Sequence, residues 1–313
     1  VLLEQGKRTL ARKQLTYINS RTASEKLKKK VALMRLYIDK EYKPLTDELN
    51  NKKQLSDEQR YLKGISQRKQ HYFSSAFKTF EQISSSTQFS WRIQIQKARM
   101  TRSRQEYAAA IKQYNALLNH NKGAAFLWFE AALTHEKLLQ FTAGIDSVKQ
   151  AIQLQPTNRV YRLTHARLLD QSGQTKPAIE ALTLVLDSNP KYARALRLMG
   201  EFFTKTNDRV QLIQIYKRLL AINPDDPDTL YKFAQAMESQ GDLPTAQALL
   251  SNLLELKSNH IEARYLLAQS YYKNGQLSDS LSEIGNLLRL NANHAPAKSL
   301  KNTIKNSQQV ETK

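Results

Sequence analysis

Hydrophobic and polar positions recur along this chain with a period of about 34 residues, marked by Pro156, Pro190 and Pro224. In units beginning at Trp91, Ala125, Arg159, Ala193, Pro227 and Ile261, the eighth position reads Ala98, Ala132, Ala166, Gly200, Ala234 and Ala268. Side chains this small are needed where two helices approach so closely that a larger one would force them apart. The twentieth position is Ala110, Gly144, Ala178, Leu212, Ala246 and Ser280, with Leu212 as the departure. The twenty-fourth is bulky (Tyr114, Val148, Leu182, Tyr216, Leu250, Ile284), which suits a residue plugging the space between one helix pair and the next. Carried backward, the register adds a unit at 57–90 with Gly64, Ala76 and Phe80 at these positions, making seven. Gly173, Gly241 and Gly275, with Asn207 in a fourth unit, hold the fifteenth position. These residue types accept a left-handed backbone, so a turn between two helices is predicted there. Asn158, Asp226 and Ser90 stand where N-caps belong, Pro227 suits a first helical residue, and Ser56-x-x-Gln59 resembles a capping box.

The ends depart from this register. After 294, Ala297, Leu300 and Ile304 fall at helical spacing among Lys298, Lys301 and Lys305, which predicts a terminal helix with a wet outer face and a frayed tail from Ser307. Residues 1–56 carry a Leu27, Val31, Met34, Ile38 stripe, interrupted downstream by Pro44. They read as two or three basic helices forming a divergent eighth repeat, an N-terminal cap or a partner-binding extension. The expected division is thus 1–56, seven repeats over 57–294, and a capping helix and tail at 295–313.

Composition supports an all-α chain: only 9 Gly and 8 Pro occur in 313 residues, too few for the many turns of a β-sandwich or barrel. No apolar run approaches the ~18 residues of a membrane span, so the chain reads as soluble. The opening Val1-Leu2-Leu3 turns polar at once, so no intact secretory signal is expected, although a removed signal or anchor could have preceded it. Net charge is +20 and is unevenly spread, with 26 basic against 10 acidic residues over 1–124 and 22 against 18 over 125–313. Such a field attracts nucleic acid, anionic lipid, acidic saccharide or acidic protein, and its sign does not choose among them.

Little reactive chemistry is written into the chain. With 0 Cys there are no disulfides, thiolate metal sites or cysteine nucleophiles. The six histidines show no ligand pairing, and the glycines form no dinucleotide loop, phosphate cradle or nucleophile elbow. His135 and His165 read as helix-contact residues. Asp225-Asp226 and Asp208 fall in interhelical turns, where capping accounts for them. The expectation is therefore no enzyme, no catalytic residues, no cofactor, no metal and no small-molecule substrate.

The small eighth and twentieth positions, Trp128 at the fourth, Phe203 and Tyr271 at the eleventh, and Pro156, Pro190 and Pro224 at the thirty-second resemble the tetratricopeptide repeat family over roughly 57–294. Gln88, Lys122, Ser258 and Ala292 depart at the thirty-second position, and His135 and Leu169 at the eleventh. The resemblance implies a right-handed superhelical solenoid of about seven antiparallel helix pairs, with extra N-terminal helices, a C-terminal capping helix and a concave groove. In that family, groove contacts come from the first helix of each pair. Here this implies Tyr61, Arg68, Lys69, Arg92, Arg99, Arg102, Arg167, Arg194, Arg197 and Lys205 as a basic stretch, then an aromatic and amide-rich stretch with Tyr231, Gln235, Tyr265, Gln269 and Tyr272. Phe129, Leu133, Val160 and Leu163 add apolar surface, expected to be covered by residues 1–56 or by a partner segment. The family's two-carboxylate clamp is not reproduced at the fifth and ninth positions.

The implied function is a non-catalytic scaffold that captures a peptide or helix in the groove and meets an acidic partner with its basic half. By analogy alone, its setting is a bacterial envelope, secretion or polysaccharide-export assembly, periplasmic or membrane-associated through a partner or anchor. The alternative is polyanion binding, to nucleic acid or acidic polysaccharide, through Arg68, Lys69, Arg92, Arg99, Arg102 and Lys28 to Lys30. Those three lysines equally suit the wet face of an amphipathic helix.

Overall fold

Small residues at fixed intervals let neighbouring helices nest, and the computed structural model shows such a contact in each repeat. Residues 8–21, 24–52, 54–83 and 90–311 are described; Val1 to Leu3, Gln88 and the last two residues of the tail lie outside them. The chain forms two compact units, Val1–Thr157 and Asn158–Lys313. The division therefore falls between the third and fourth of the seven repeats.

The N-terminal unit comprises α1 (Arg8–Arg21), α2 (Glu25–Ile38), α3 (Tyr42–Asn50), α4 (Asp57–Lys69), α5 (Phe73–Glu81), α6 (Ser90–Ser103), α7 (Tyr107–His120), α8 (Ala125–Lys137) and α9 (Phe141–Leu154). The C-terminal unit comprises α10 (Arg159–Gln171), α11 (Thr175–Ser188), α12 (Ala193–Lys205), α13 (Arg209–Leu220), α14 (Pro227–Gln240), α15 (Leu243–Leu256), α16 (Ile261–Lys273), α17 (Leu277–Leu290) and α18 (Ala295–Glu311). The described residues contain no strand.

All seven eighth positions, all seven twentieth and all seven twenty-fourth are buried. Ser280 holds the twentieth position of its repeat without an orphaned hydroxyl, because its Oγ donates to the Ala268 carbonyl of the paired helix at 2.7 Å. Leu212 stands opposite Gly200 at the eighth position. A Cβ built on Gly200 would lie 3.4 Å from Ile215 Cγ2 and 3.7 Å from Leu212 Cδ1, ordinary contact distances, so the larger Leu212 is accommodated without reserving the eighth position for glycine.

Each hairpin closes through one left-handed residue. His71, Gln105, Leu139, Gly173, Asn207, Gly241 and Gly275 all have positive φ, each one period from the last. In each, the next residue's N–H donates to the carbonyl five residues back, which satisfies an end group of the first helix. The same closure joins α2 to α3, with Lys40 at φ 65° and Glu41 N–H donating to Leu36 O at 2.9 Å. Lys40 stands three residues closer to His71 than the period requires, so α2–α3 is a hairpin of the same turn type whose spacing the register misses. Pro44 lies in the first turn of α3, where its missing N–H costs no bond.

Only Gly and Asn take such a turn at low cost. Leu139 is left-handed at φ 57° and its side chain is 73% exposed, so nothing is returned by packing. A left-handed leucine costs roughly 1–2 kcal/mol, and glycine gives back about 0.4–1 kcal/mol through its freer unfolded chain. Leu139→Gly is therefore expected to stabilise the N-terminal unit by about 0.5–1 kcal/mol, measured as a raised urea midpoint. Leu139→Ala, which keeps the Cβ, should not reproduce the gain.

The termini extend the stacks. Leu33, Leu45, Leu49 and Leu62 form the buried contact between α2–α3 and α4. Val31 and Ile38 of the predicted stripe are buried with them, but Leu27 is 37% exposed. The described helices α1–α3 pack in chain order onto α4, so among the described residues 1–56 supplies no cover across Phe129 and Leu133, which one reading expected. Ala297 and Ile304 of α18 are fully buried beside Ile284 and Leu287, and that helix continues past Ser307 to Glu311. Of the expected caps, Ser56 forms the reciprocal box with Gln59 and Asn158 accepts from Val160 N–H. Ser90 is the first residue of α6 rather than its cap, and Asp226 turns its carboxylate to Thr229 and Arg197 instead. Among the described residues no helix is long and apolar enough to cross a membrane.

Candidate functional site

The first helices of successive hairpins line up within each unit, and nearly all the groove residues read from sequence lie on them. In the N-terminal unit, α4 carries Tyr61, Arg68 and Lys69, α6 carries Arg92, Arg99 and Arg102, and α8 carries Phe129 and Leu133. The structure adds a residue the sequence reading passed over, Glu130 of α8. Arg99 Nε and Nη2 both lie 2.7 Å from Glu130 Oε1, and Arg102 Nη1 lies 2.6 Å from Oε2. The carboxylate is only 12% exposed. Burial acts to raise its proton affinity, but Arg99 and Arg102 outweigh burial and hold the carboxyl below its ordinary value.

Arg68 approaches the same cluster. It is half-buried, and its Nε is buried without a hydrogen bond. Burial and then the Arg99 charge lower its proton affinity. Beneath the arginines sits Tyr114, 0% exposed, with a hydroxyl that also makes no hydrogen bond. Burial, followed by the Glu130 charge, raises its ionisation above the usual tyrosine range. Tyr61 accepts from Gln96 Nε2 at 3.3 Å, and the Arg92 guanidinium lies over the Trp91 ring, 5.6 Å from its centroid.

In the C-terminal unit the predicted cations are staples as much as surface. Lys205 of α12 pairs with Asp170 of α10 at 3.0 Å, and Arg197 of α12 with Asp226 before α14, also at 3.0 Å. Lys273 and Glu238 repeat the first arrangement two hairpins later, with the same spacing of 35 residues. Arg194 is exposed, and Arg167 is half-buried on α10. Tyr231 and Tyr265, at equivalent positions of α14 and α16, pack their rings against His260 and His294, with centroids 5.3 and 5.1 Å apart. Each histidine caps the following helix through Nδ1, accepting from Ala263 N–H and Ala297 N–H. This repeated stack was not anticipated, although the two pairs stand one period apart and are legible in that spacing. Tyr272 packs against the C-terminal core beside α18.

Between α12, α13 and α14 the same face opens into a cavity of about 360 Å³ lined by Arg197, Glu201, Thr204, Tyr216, Lys232 and Gln235 among others. Gly200 forms part of its wall. Both signs of charge, an aromatic ring and an amide reach this space, which suits a polypeptide side chain more than a uniformly charged polymer. Among the described residues no group of three or more metal-ligating side chains lies together.

The family model for the anaphase-promoting complex, cyclosome, subunit 3 matches residues 211–287, from α13 into α17. Three solved structures share the fold. YrrB, a TPR protein with an unusual peptide-binding site, is 14% identical, covers 60% of this chain and 97% of its own, and has a TM-score of 0.50. The C-terminal part of a TPR repeat-containing protein from Cytophaga hutchinsonii is 18% identical, with coverage of 63% and 78% and a TM-score of 0.55. A tetratricopeptide repeat protein from Parabacteroides merdae is 16% identical, with coverage of 70% and 87% and a TM-score of 0.52. With helix pairs recurring once per sequence period, the small contact positions buried in every one, and these neighbours in fold, the chain has the fold of tetratricopeptide repeat proteins.

Proposed function

We propose that this protein is a non-catalytic scaffold whose first-helix faces capture a polypeptide segment, the N-terminal unit favouring acidic sequence. The observation that carries the reading is the cavity at α12–α14, with Gln235 in its lining and Tyr231 on the same helix. A pre-formed recess of this size with mixed polar and aromatic walls holds a side chain with little reorganisation, the main economy in binding an extended peptide. YrrB shows that a chain of this fold carries a peptide-binding site. A bacterial envelope, secretion or export assembly is the proposed setting, by analogy of architecture.

Polyanion capture is the weaker reading. Arg197 and Lys205 are each paired with a carboxylate of their own, and Arg99 and Arg102 share the single carboxylate of Glu130, so fewer cations are available to release counterions from a nucleic acid. A random-peptide display against the full chain, followed by titration of a selected peptide, tests the leading reading. Tyr231→Ala and Gln235→Ala are expected to weaken that peptide about tenfold or more, as loss of a central contact does. Recovery of no peptide, or selected peptides indifferent to both changes, would overturn it.

A further inference from the structure

We propose that Arg68, Arg99 and Arg102, backed by the buried Tyr114, form a subsite in the N-terminal unit that takes a carboxylate of the bound polypeptide, Glu130 holding the arginine forks in position. The proposal rests on the peptide-capture reading and names the chemistry its acidic partner presents.

The charges do not balance. Two guanidiniums grip one carboxylate and a third, that of Arg68, lies within electrostatic reach, and the pair is not dispersed into water: Arg99 and Arg102 side chains are 28% and 25% exposed, and Glu130 is 12% exposed. A buried ion pair requires one partner for each charge, and every additional cation brings its own desolvation cost and repulsion. Arg68 meets both costs. Its Nε is buried and unbonded, and the strongest influence of a charged neighbour on it is the like charge of Arg99. An arginine so placed adds nothing to packing that a methionine would not, and its fork stands ready for an incoming anion.

Tyr114 supplies a second orphan. Its ring plugs the space between hairpins, as leucine or valine does in other repeats, yet it carries a buried hydroxyl without a partner. Its hydroxyl lies within electrostatic reach of Arg68, Arg99, Arg102 and Glu130. Two buried polar groups left open beside surplus positive charge describe a site that an anion completes.

The occupant is a carboxylate. Glu130 shows that these planar forks already grip one, with two nitrogens of Arg99 on a single oxygen. A singly charged ligand also meets less repulsion from Glu130 than a phosphate dianion would.

The test uses the full chain and a fluorescein-labelled hexaglutamate peptide, with hexaglutamine as control, titrated by anisotropy at fixed ionic strength. Hexaglutamate is expected to bind and hexaglutamine not. Arg68→Met is expected to weaken hexaglutamate at least tenfold while leaving the thermal midpoint unchanged or raised, and Lys176→Gln, exposed on α11 in the other unit and away from the first-helix face, should change neither. A lowered midpoint with unchanged affinity would make Arg68 a structural residue and overturn the subsite. So would displacement of hexaglutamate by an equal concentration of phosphoserine peptide or inorganic phosphate. If hexaglutamate fails but display-selected peptides still depend on Tyr231, the subsite falls alone; if neither class binds, peptide capture falls with it.

Discussion

Glu130→Gln is expected to destabilise the N-terminal unit by about 3–5 kcal/mol, the cost of leaving buried charge without its counterion. The amide keeps the shape of the carboxylate and one acceptor oxygen, so the loss reports charge rather than packing. Arg68 of α4 and Arg99 and Arg102 of α6 would then be left without the carboxylate of α8 that compensates them. The same loss should appear on acidification. The folded carboxyl titrates below its ordinary value near 4.5, so its contribution is complete above the unfolded value and disappears as pH falls through the lower folded one. Wild type should therefore weaken in that acidic window while Glu130→Gln, already lacking the charge, shows a smaller change. Both tryptophans, Trp91 and Trp128, lie in this unit. Urea unfolding followed by tryptophan fluorescence therefore reads its stability separately from that of the C-terminal unit. A difference under about 1 kcal/mol, typical of exposed pairs, would show that water screens the cluster.

Packing was legible in the sequence where a single residue type is demanded, and illegible where two residues negotiate. Ala98, Ala166 and Ala268 announce helix contacts because nothing larger fits. Leu212 departs from the small residues of its position and is nonetheless buried, facing Gly200 on the other helix of the pair, where a methyl group would also fit. Left-handed turns showed the same limit: Gly173, Gly241, Gly275 and Asn207 advertise them, but His71, Gln105 and Leu139 adopt the conformation because the two helices they join are already packed. The hairpin at Lys40 escaped because a deletion of three residues breaks a period without breaking a fold.

The candidate site was legible in residue type and not in charge state. The arginines named at groove positions lie on the first helices α4, α6, α10 and α12, but whether a guanidinium is available depends on acids in neighbouring hairpins. Lys205–Asp170 and Lys273–Glu238 share an offset of 35 residues, a pattern open to reading in advance. Glu130 offered no such repetition. It stands alone in the apolar stretch Ala125 to Leu133, where a lone acid is itself the signal, since it cannot stay charged there without cations close by.

Gly64→Ala carries the other large expected effect. Alanine is the better helix former by roughly 0.5–1 kcal/mol, and every other repeat but one has alanine at this position, so sequence comparison between repeats alone favours the change. The geometry opposes it. A Cβ on Gly64 would lie 2.5, 2.7 and 2.8 Å from three ring carbons of Phe80, distances that no packed pair tolerates. Phe80 cannot swing clear, being 2% exposed and packed with Ile65, Ala76 and Ile83, with the Tyr61 ring 6.1 Å away. Overpacking of this kind costs about 1–3 kcal/mol, enough to exceed the gain in helix propensity. Gly200→Ala is the internal contrast, since the nearest atom there is at 3.4 Å and can give way; that change should be close to neutral. The clash belongs to a pair, so a smaller ring position should relieve it. Phe80→Leu destabilises alone by opening space, but Gly64→Ala with Phe80→Leu should be more stable than the sum of the two single losses by about 1 kcal/mol or more, the coupling expected of residues in direct contact. Strictly additive losses in the four-variant cycle, read by tryptophan fluorescence in urea, would show that the backbone of α4 shifts to absorb the methyl group and that the closeness of α4 and α5 is not what reserves this position for glycine.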